Sequence, residues 1–263
     1  MIISPSAISP YKIPTFQSGG ASFVGLLDLY PNAAAAYSVR LLKSDYAGSA
    51  MEVRRSSDNA LQDIGFDANG DLDTASLLSF VGAGDGFVRT WYDQSGNANN
   101  AQNITSSLQP QIVNSGAYLG YLQTLNVSGN MVSSYAYVNG NAYSSFSYFE
   151  NNGRCVIGGT NTGSAYYGSG QSGSALNSAV GFSIQSYYKN GASIGTTQND
   201  MFTATLSFSQ FSLLITSINT KNLAIGYTGP AFNNNRFKEF ILYPNQTVSR
   251  IDVENNQIDY YGV

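Results

Sequence analysis

The chain has 263 residues, enough to bury a core, and its 43% hydrophobic and 11% charged content leaves a surface of Asn, Ser, Thr, Gln, Gly and Tyr. A net charge of −4 with only 12 scattered Lys and Arg lacks the concentrated positive charge that nucleic-acid binding needs, and no apolar run is long enough to cross a bilayer. The absence of His excludes Ser-His-Asp and Cys-His catalysis and any His-ligated metal; the single Cys155 excludes an intrachain disulfide.

Residues 1–22 carry Pro5, Pro10 and Pro14 and end at Gly19-Gly20, which predicts an extended N-terminal arm that packs on another surface, with an edge strand or a loose terminus as the alternative. The start MIISPSAISPYKIPTF has neither a basic head nor an apolar stretch, so it does not read as a signal peptide. Asn32, four alanines and the Tyr37, Leu41, Leu42 face predict a helix over 32–46, stopped by Gly48. A second helix is predicted over 73–81, capped by Asp73 or Thr74, with Leu77 and Leu78 inward. Phe87–Tyr92 is the clearest early strand. Further strands are predicted at 131–138, 143–149, 154–158, 179–188, 203–208, 211–218, 222–227 and 236–243, the last alternating Phe237, Glu239, Ile241 against Lys238, Phe240, Leu242. Cys155 reads as a buried residue of the 154–158 strand. Asn139-Gly140 and Asn190-Gly191 predict tight hairpins. Residues 247–261 predict a closing helix with a Val248, Ile251, Ile258 stripe. Many short strands with few helices make an all-β sandwich, one unit over 23–263.

Asp67 to Asp73 resembles a calcium loop at first sight, but Leu72 and Leu78 occupy the sixth and twelfth positions, where such a loop needs Gly and Glu. It reads as a turn into a helix cap. Trp91-Tyr92-Asp93-Gln94-Ser95-Gly96-Asn97 follows a strand with a sharp turn; Asp93 can accept backbone N–H groups two residues on, and Gly96 supplies a left-handed conformation. The stretch reads as a loop-forming device or, alternatively, as a sugar platform or a calcium site of Asp and Asn oxygens. Trp91, Tyr92, Asp93 and Asn97, with Tyr187, Tyr188 and Asn190 at a hairpin tip, are the candidate carbohydrate-binding residues. Glycoside hydrolysis needs two carboxyl groups flanking one bond, and no such pair is marked by local context among the four Glu residues and the scattered Asp residues.

The run from Tyr37 to Asn100, with VRRSSDN, DIGF and YDQSGN, resembles the N-terminal part of the catalytic domain of family 54 α-L-arabinofuranosidases, and also resembles modules of bacteriophage structural proteins. The C-terminal FILYPN…IDVENNQIDYYG is similar to the end of laminin G-like modules. The resemblance implies a concanavalin A-like jelly roll with a few short peripheral helices. It also implies a nucleophilic Glu in the stretch Val180–Gly191, where Gln185 or Ser186 stands instead, and an acid/base Asp in Ile225–Asn235, which has none. The enzymes' vicinal cysteine pair is absent as well.

These readings favour a non-catalytic virion protein: a fibre, tail or capsid-surface module on the phage particle. Its arm docks on other virion subunits and its sandwich binds host-surface glycans, with no catalytic residue and no cofactor beyond an optional calcium ion. An active arabinofuranosidase is the alternative reading. A homo-oligomer whose Tyr-rich surfaces are subunit contacts is the third.

Overall fold

The computed structural model describes residues 23–125, 131–136, 141–150, 157–160, 165–167, 182–195, 208–218, 222–225, 235–245 and 248–262. The expected arm at 1–22, Cys155, Asn139-Gly140, the 203–207 part of a predicted strand and most of the Ile225–Asn235 stretch lie outside the described residues.

The described strands, in chain order, are β1 (Ala35–Ser38), β2 (Met51–Arg55), β3 (Leu61–Ile64), β4 (Gly86–Trp91), β5 (Ala101–Gln102), β6 (Gln111–Asn114), β7 (Ala117–Gln123), β8 (Met131–Ala136), β9 (Tyr143–Glu150), β10 (Ile157–Thr160), β11 (Ala165–Tyr167), β12 (Phe182–Lys189), β13 (Ala192–Gly195), β14 (Ser209–Ile218), β15 (Asn222–Ile225) and β16 (Arg236–Pro244). They form one antiparallel hydrogen-bonded network that runs β11-β10-β15-β8-β5-β4-β6-β7-β16-β9-β14-β12-β13, with β1 joined to β16 and the β2–β3 hairpin joined to β4. One core is shared by residues of β2, β4 and β6 and residues of β9, β14 and β16. Tyr37 sits at its centre, its ring 5.7 Å from Trp91 and 6.4 Å from Phe240. A second cluster lies on the other side of β9 and β16: Phe146, Ile241 and Tyr243 pack under Leu26 and Leu27 of α1 (Leu26–Leu29) and Val253 of α3 (Arg250–Tyr261). The chain is a concanavalin A-like jelly-roll β-sandwich with a few short peripheral helices, as expected.

The predicted helix over 32–46 does not form. Asn32 has φ 71°, a left-handed conformation, and Ala35–Ser38 is strand β1, buried at all four positions against β16. Alanine's helix propensity is worth only tenths of a kcal/mol per residue, and the small side chains let β1 lie buried between the two core clusters, with Ala35 in one and Ala36 in the other. The second helix forms as expected: α2 (Thr74–Val81) is capped by Asp73, which accepts from Ser76 N at 2.9 Å, and buries Leu77 and Val81. The Asn190-Gly191 hairpin joins β12 to β13 with φ 47° and 81°, the pair of positive angles a type I′ turn requires.

Two departures concern the C-terminal elements. Strand β16 does not alternate strictly: Phe237 pairs with Phe149 but Glu239 pairs with Tyr148, so Lys238 is an extra, bulged residue. The bulge re-phases the strand and puts Phe237, Phe240 and Leu242 together in the main core, with Ile241 and Tyr243 facing the other way. The closing helix buries Val253, Glu254, Asn256 and Gln257, while Ile251 of the predicted stripe is 57% exposed. Its polar face turns inward because it completes a buried hydrogen-bond network.

Candidate functional site

The network begins at the turn after β4. Asp93 is buried and its carboxylate accepts from Ala36 N (2.8 Å), Ser95 N (2.9 Å), Ser95 Oγ (2.7 Å) and Asn99 N (2.9 Å). Gln94, fully buried, accepts from Leu42 N and donates to Arg40 O. Asn97 and Asn99 donate their amides to carbonyls of Ala33 and Ala34, and Trp91 donates Nε1–H to Ser38 O. The turn therefore grips the segment 33–42, supplying hydrogen bonds that β1 does not obtain from β16.

That geometry corrects part of the expected sugar platform. Trp91 has no exposed surface and offers no face to a ligand. The oxygens of Asp93 are consumed by protein donors, so they do not form a calcium site, and among the described residues no group of three or more His, Cys, Asp or Glu could hold a metal. Tyr92 is half-buried and donates to Asp63 Oδ1; burial first, and the Asp63 carboxylate second, push its phenol up. Of the hairpin residues, Tyr187 is 1% exposed, Tyr188 carries the Arg250 guanidinium 3.6 Å from its ring centroid, and Asn190 accepts from Gln210 N. Tyr92, Asn97, Tyr188 and Asn190 thus reach the surface, each within a local network, whereas Trp91, Asp93 and Tyr187 belong to the interior.

The carboxylates divide by duty. Glu239 is fully buried and accepts from Arg40 Nε (2.7 Å), Arg40 Nη2 (3.0 Å), Ser38 Oγ (2.8 Å), Gln257 Nε2 (3.0 Å) and Tyr261 OH (3.1 Å). Burial opposes its charge, but the Arg40 guanidinium and these donors outweigh burial and hold the carboxyl below its ordinary range. Glu254 is buried against Arg250. Asp28, Asp67 and Asp73 hold a helix start, a turn and a cap. Glu52 and Asp63 face each other across β2 and β3, beside Arg89 and Tyr92.

Beside the Arg40–Glu239 pair lies a pocket of about 480 Å³, lined by Asp71, Thr74, Tyr118, Lys238, Tyr260 and Tyr261 among others. The Arg40 guanidinium stacks 4.2 Å from the Tyr260 ring centroid, and Tyr260 OH donates to Asp71 Oδ1. Tyr118 has its phenol pushed up to about 12, by burial first and by the Asp71 charge second. Nothing in the linear pattern marks this pocket: it is assembled from a turn, strand β7, the bulge in β16 and the last turn of α3.

A family model described as the catalytic domain of α-L-arabinofuranosidase B matches residues 28–184, more than half of the chain. No curated protein matches it. Among solved structures, the chain is similar to three of arabinofuranosidases, the first two described as family 54 α-L-arabinofuranosidases. One is a glutamate-to-glutamine variant soaked with 4-nitrophenyl α-L-arabinofuranoside (15% identity, TM-score 0.62). The second is an enzyme soaked with a cyclic sulfate inhibitor (14%, TM-score 0.60). The third is described as an arabinofuranosidase complexed with arabinofuranosyl-α-1,2-xylobiose (13%, TM-score 0.59). Each alignment covers 89% of this chain but 64% of the other, so the chain spans under two thirds of the length of those proteins. At such identity the structures show the shared fold. The family match overturns the expectation of a non-catalytic phage module, and with it the location on a phage particle. The matched span ends at residue 184, inside the Val180–Gly191 stretch and ahead of Ile225–Asn235. The chain belongs to the family of the α-L-arabinofuranosidase B catalytic domain.

Proposed function

We propose that the protein is a glycoside hydrolase that cleaves α-L-arabinofuranosides. The observation that carries the reading is the family match across residues 28–184; the jelly-roll fold common to the arabinofuranosidase structures supports it. Such hydrolysis uses one carboxylic acid to protonate the leaving oxygen and a second carboxylate, as nucleophile or as base for water, on the opposite side of the bond. Acids that hold turns, caps or buried ion pairs are spoken for. The catalytic pair is therefore sought among Glu52, Asp63, Asp71, Glu150, Asp200, Asp252 and Asp259.

The test is an amide scan. Each of these acids is changed singly to Gln or Asn and the release of 4-nitrophenol from 4-nitrophenyl α-L-arabinofuranoside is measured. Two of the variants lose at least about a hundredfold in kcat, the scale of a missing acid or base. Undiminished turnover in all seven would reject this assignment of the acids.

A further inference from the structure

We propose that the pocket lined by Asp71, Thr74, Tyr118, Lys238, Tyr260 and Tyr261 is a saccharide-binding site that takes one neutral pentose unit, with Lys238 and Asp71 as its polar contacts. The choice of a pentose rests on the proposed function; the site itself rests on geometry.

Three observations carry it. First, the bulge in β16 falls on Lys238 and directs it into the pocket. Bulges are a means of re-aiming one side chain of a strand, and they recur beside functional sites. Second, the Lys238 ammonium has no carboxylate or hydrogen-bond partner among the described residues. It lies 4.9 Å from the ring centroid of Phe208, 5.4 Å from Tyr261 and 5.5 Å from Tyr148, and burial lowers its pKa. Third, Asp71 gives Oδ1 to Tyr260, while its Oδ2 has no partner among the described residues.

One donor group and one acceptor group of opposite charge, set among tyrosines, match a polyhydroxylated neutral ligand. A sugar hydroxyl accepts from Lys238 Nζ, another donates to Asp71 Oδ2, and the apolar C–H face of the ring rests on a tyrosine. An anionic ligand would face Asp71, and a cationic one would face Lys238. The volume of about 480 Å³ falls in the usual range of small-molecule sites. The walls are preorganised: Tyr148 stacks on Tyr261 at 4.1 Å, Tyr261 meets Tyr260 edge-on at 4.8 Å, and the buried Arg40–Glu239 pair supports both from below.

The experiment is titration of the full chain with L-arabinose and with xylobiose, which hold no arabinofuranosyl bond to cleave, followed by ligand-observed NMR. The variants are Lys238→Met, whose stem still covers the same rings, and Asp71→Asn, which keeps an acceptor for Tyr260. At least one of the sugars binds in the millimolar range, and each variant weakens it about tenfold or more, the scale of one charge-assisted hydrogen bond, without moving the thermal midpoint. Failure of both sugars to bind, or unchanged affinity in Lys238→Met, overturns the site. Hydrolysis of 4-nitrophenyl α-L-arabinofuranoside is read separately on the unaltered chain. Sugar binding lost in the variants without any hydrolysis leaves the site standing and removes the enzymatic reading; hydrolysis with no pentose binding does the reverse.

Discussion

Replacing Glu239 by Gln tests the energetics of the buried network most sharply. The substitution keeps the shape of the side chain but removes its charge, leaving Arg40, which is 5% exposed, without a carboxylate. Five donor contacts converge on Glu239, two of them from Arg40 and one each from Ser38, Gln257 and Tyr261. An amide cannot accept at both ends, so at least one donor is also left facing an N–H group. Stranding one partner of a buried ion pair costs about 3–5 kcal/mol. At about 2–3 °C per kcal/mol for a chain of this size, the midpoint of thermal unfolding falls by about 6–15 °C. Circular dichroism melts at neutral pH, with urea titration as a second measure, read the change. The double variant Arg40→Met, Glu239→Leu removes both charges and recovers most of the loss, because an apolar pair of similar volume avoids the desolvation of two ions. A Glu239→Gln midpoint within 2 °C of the parent, or a double variant no better than the single, would refute this account.

The same group sets an acid limit. Because the folded carboxyl titrates below its ordinary value of 4.5, its contribution is complete above about that pH and is lost as pH falls through the folded value. The stability gap between parent and Glu239→Gln therefore narrows below pH 4.5 in urea titrations taken down the pH scale, and a gap independent of pH would contradict it. Asp93→Ala strands the donors Ala36 N, Ser95 N and Asn99 N and costs about 3 kcal/mol or more in the same titration; a loss under 1 kcal/mol would show that the turn does not hold β1. Gly25→Ala puts a methyl 2.2 Å from the carbonyl oxygen of Leu42 and lowers the melting midpoint by several degrees, whereas Gly65→Ala meets nothing within 4 Å and leaves it within a degree or two; equal effects of the two would contradict the packing around α1.

The fold was legible in the sequence where local chemistry and tertiary packing agree. The strand ending at Trp91, the Asp73 cap and the Asn190-Gly191 turn each follow from side chains acting on their own backbone. The segment Asn32–Tyr46 was misread because four alanines carry a helical preference too weak to resist burial in strand β1. The closing helix forms, as Arg250–Tyr261, but its inward face was misread because apolar residues alone were counted. That face includes Asn256 and Gln257, whose partners Arg40, Gln210 and Glu239 lie on other elements. The RTWYDQSGN stretch was correctly seen as a shaping turn, but its oxygens are spent on the backbone rather than offered to a ligand. The pocket at Lys238 was invisible: a bulge is a property of the pairing between β16 and β9, and neither strand announces it alone. The absence of acids from Val180–Gly191 and Ile225–Asn235 argued against catalysis, whereas the family match rests on residues 28–184, which end inside the first stretch and before the second.

The central claim is tested most directly by incubating the unaltered full chain with 4-nitrophenyl α-L-arabinofuranoside and following the release of 4-nitrophenolate. The account predicts saturable, enzyme-proportional release that a 4-nitrophenyl pyranoside control does not give. Release no faster than in buffer at high protein concentration would contradict it.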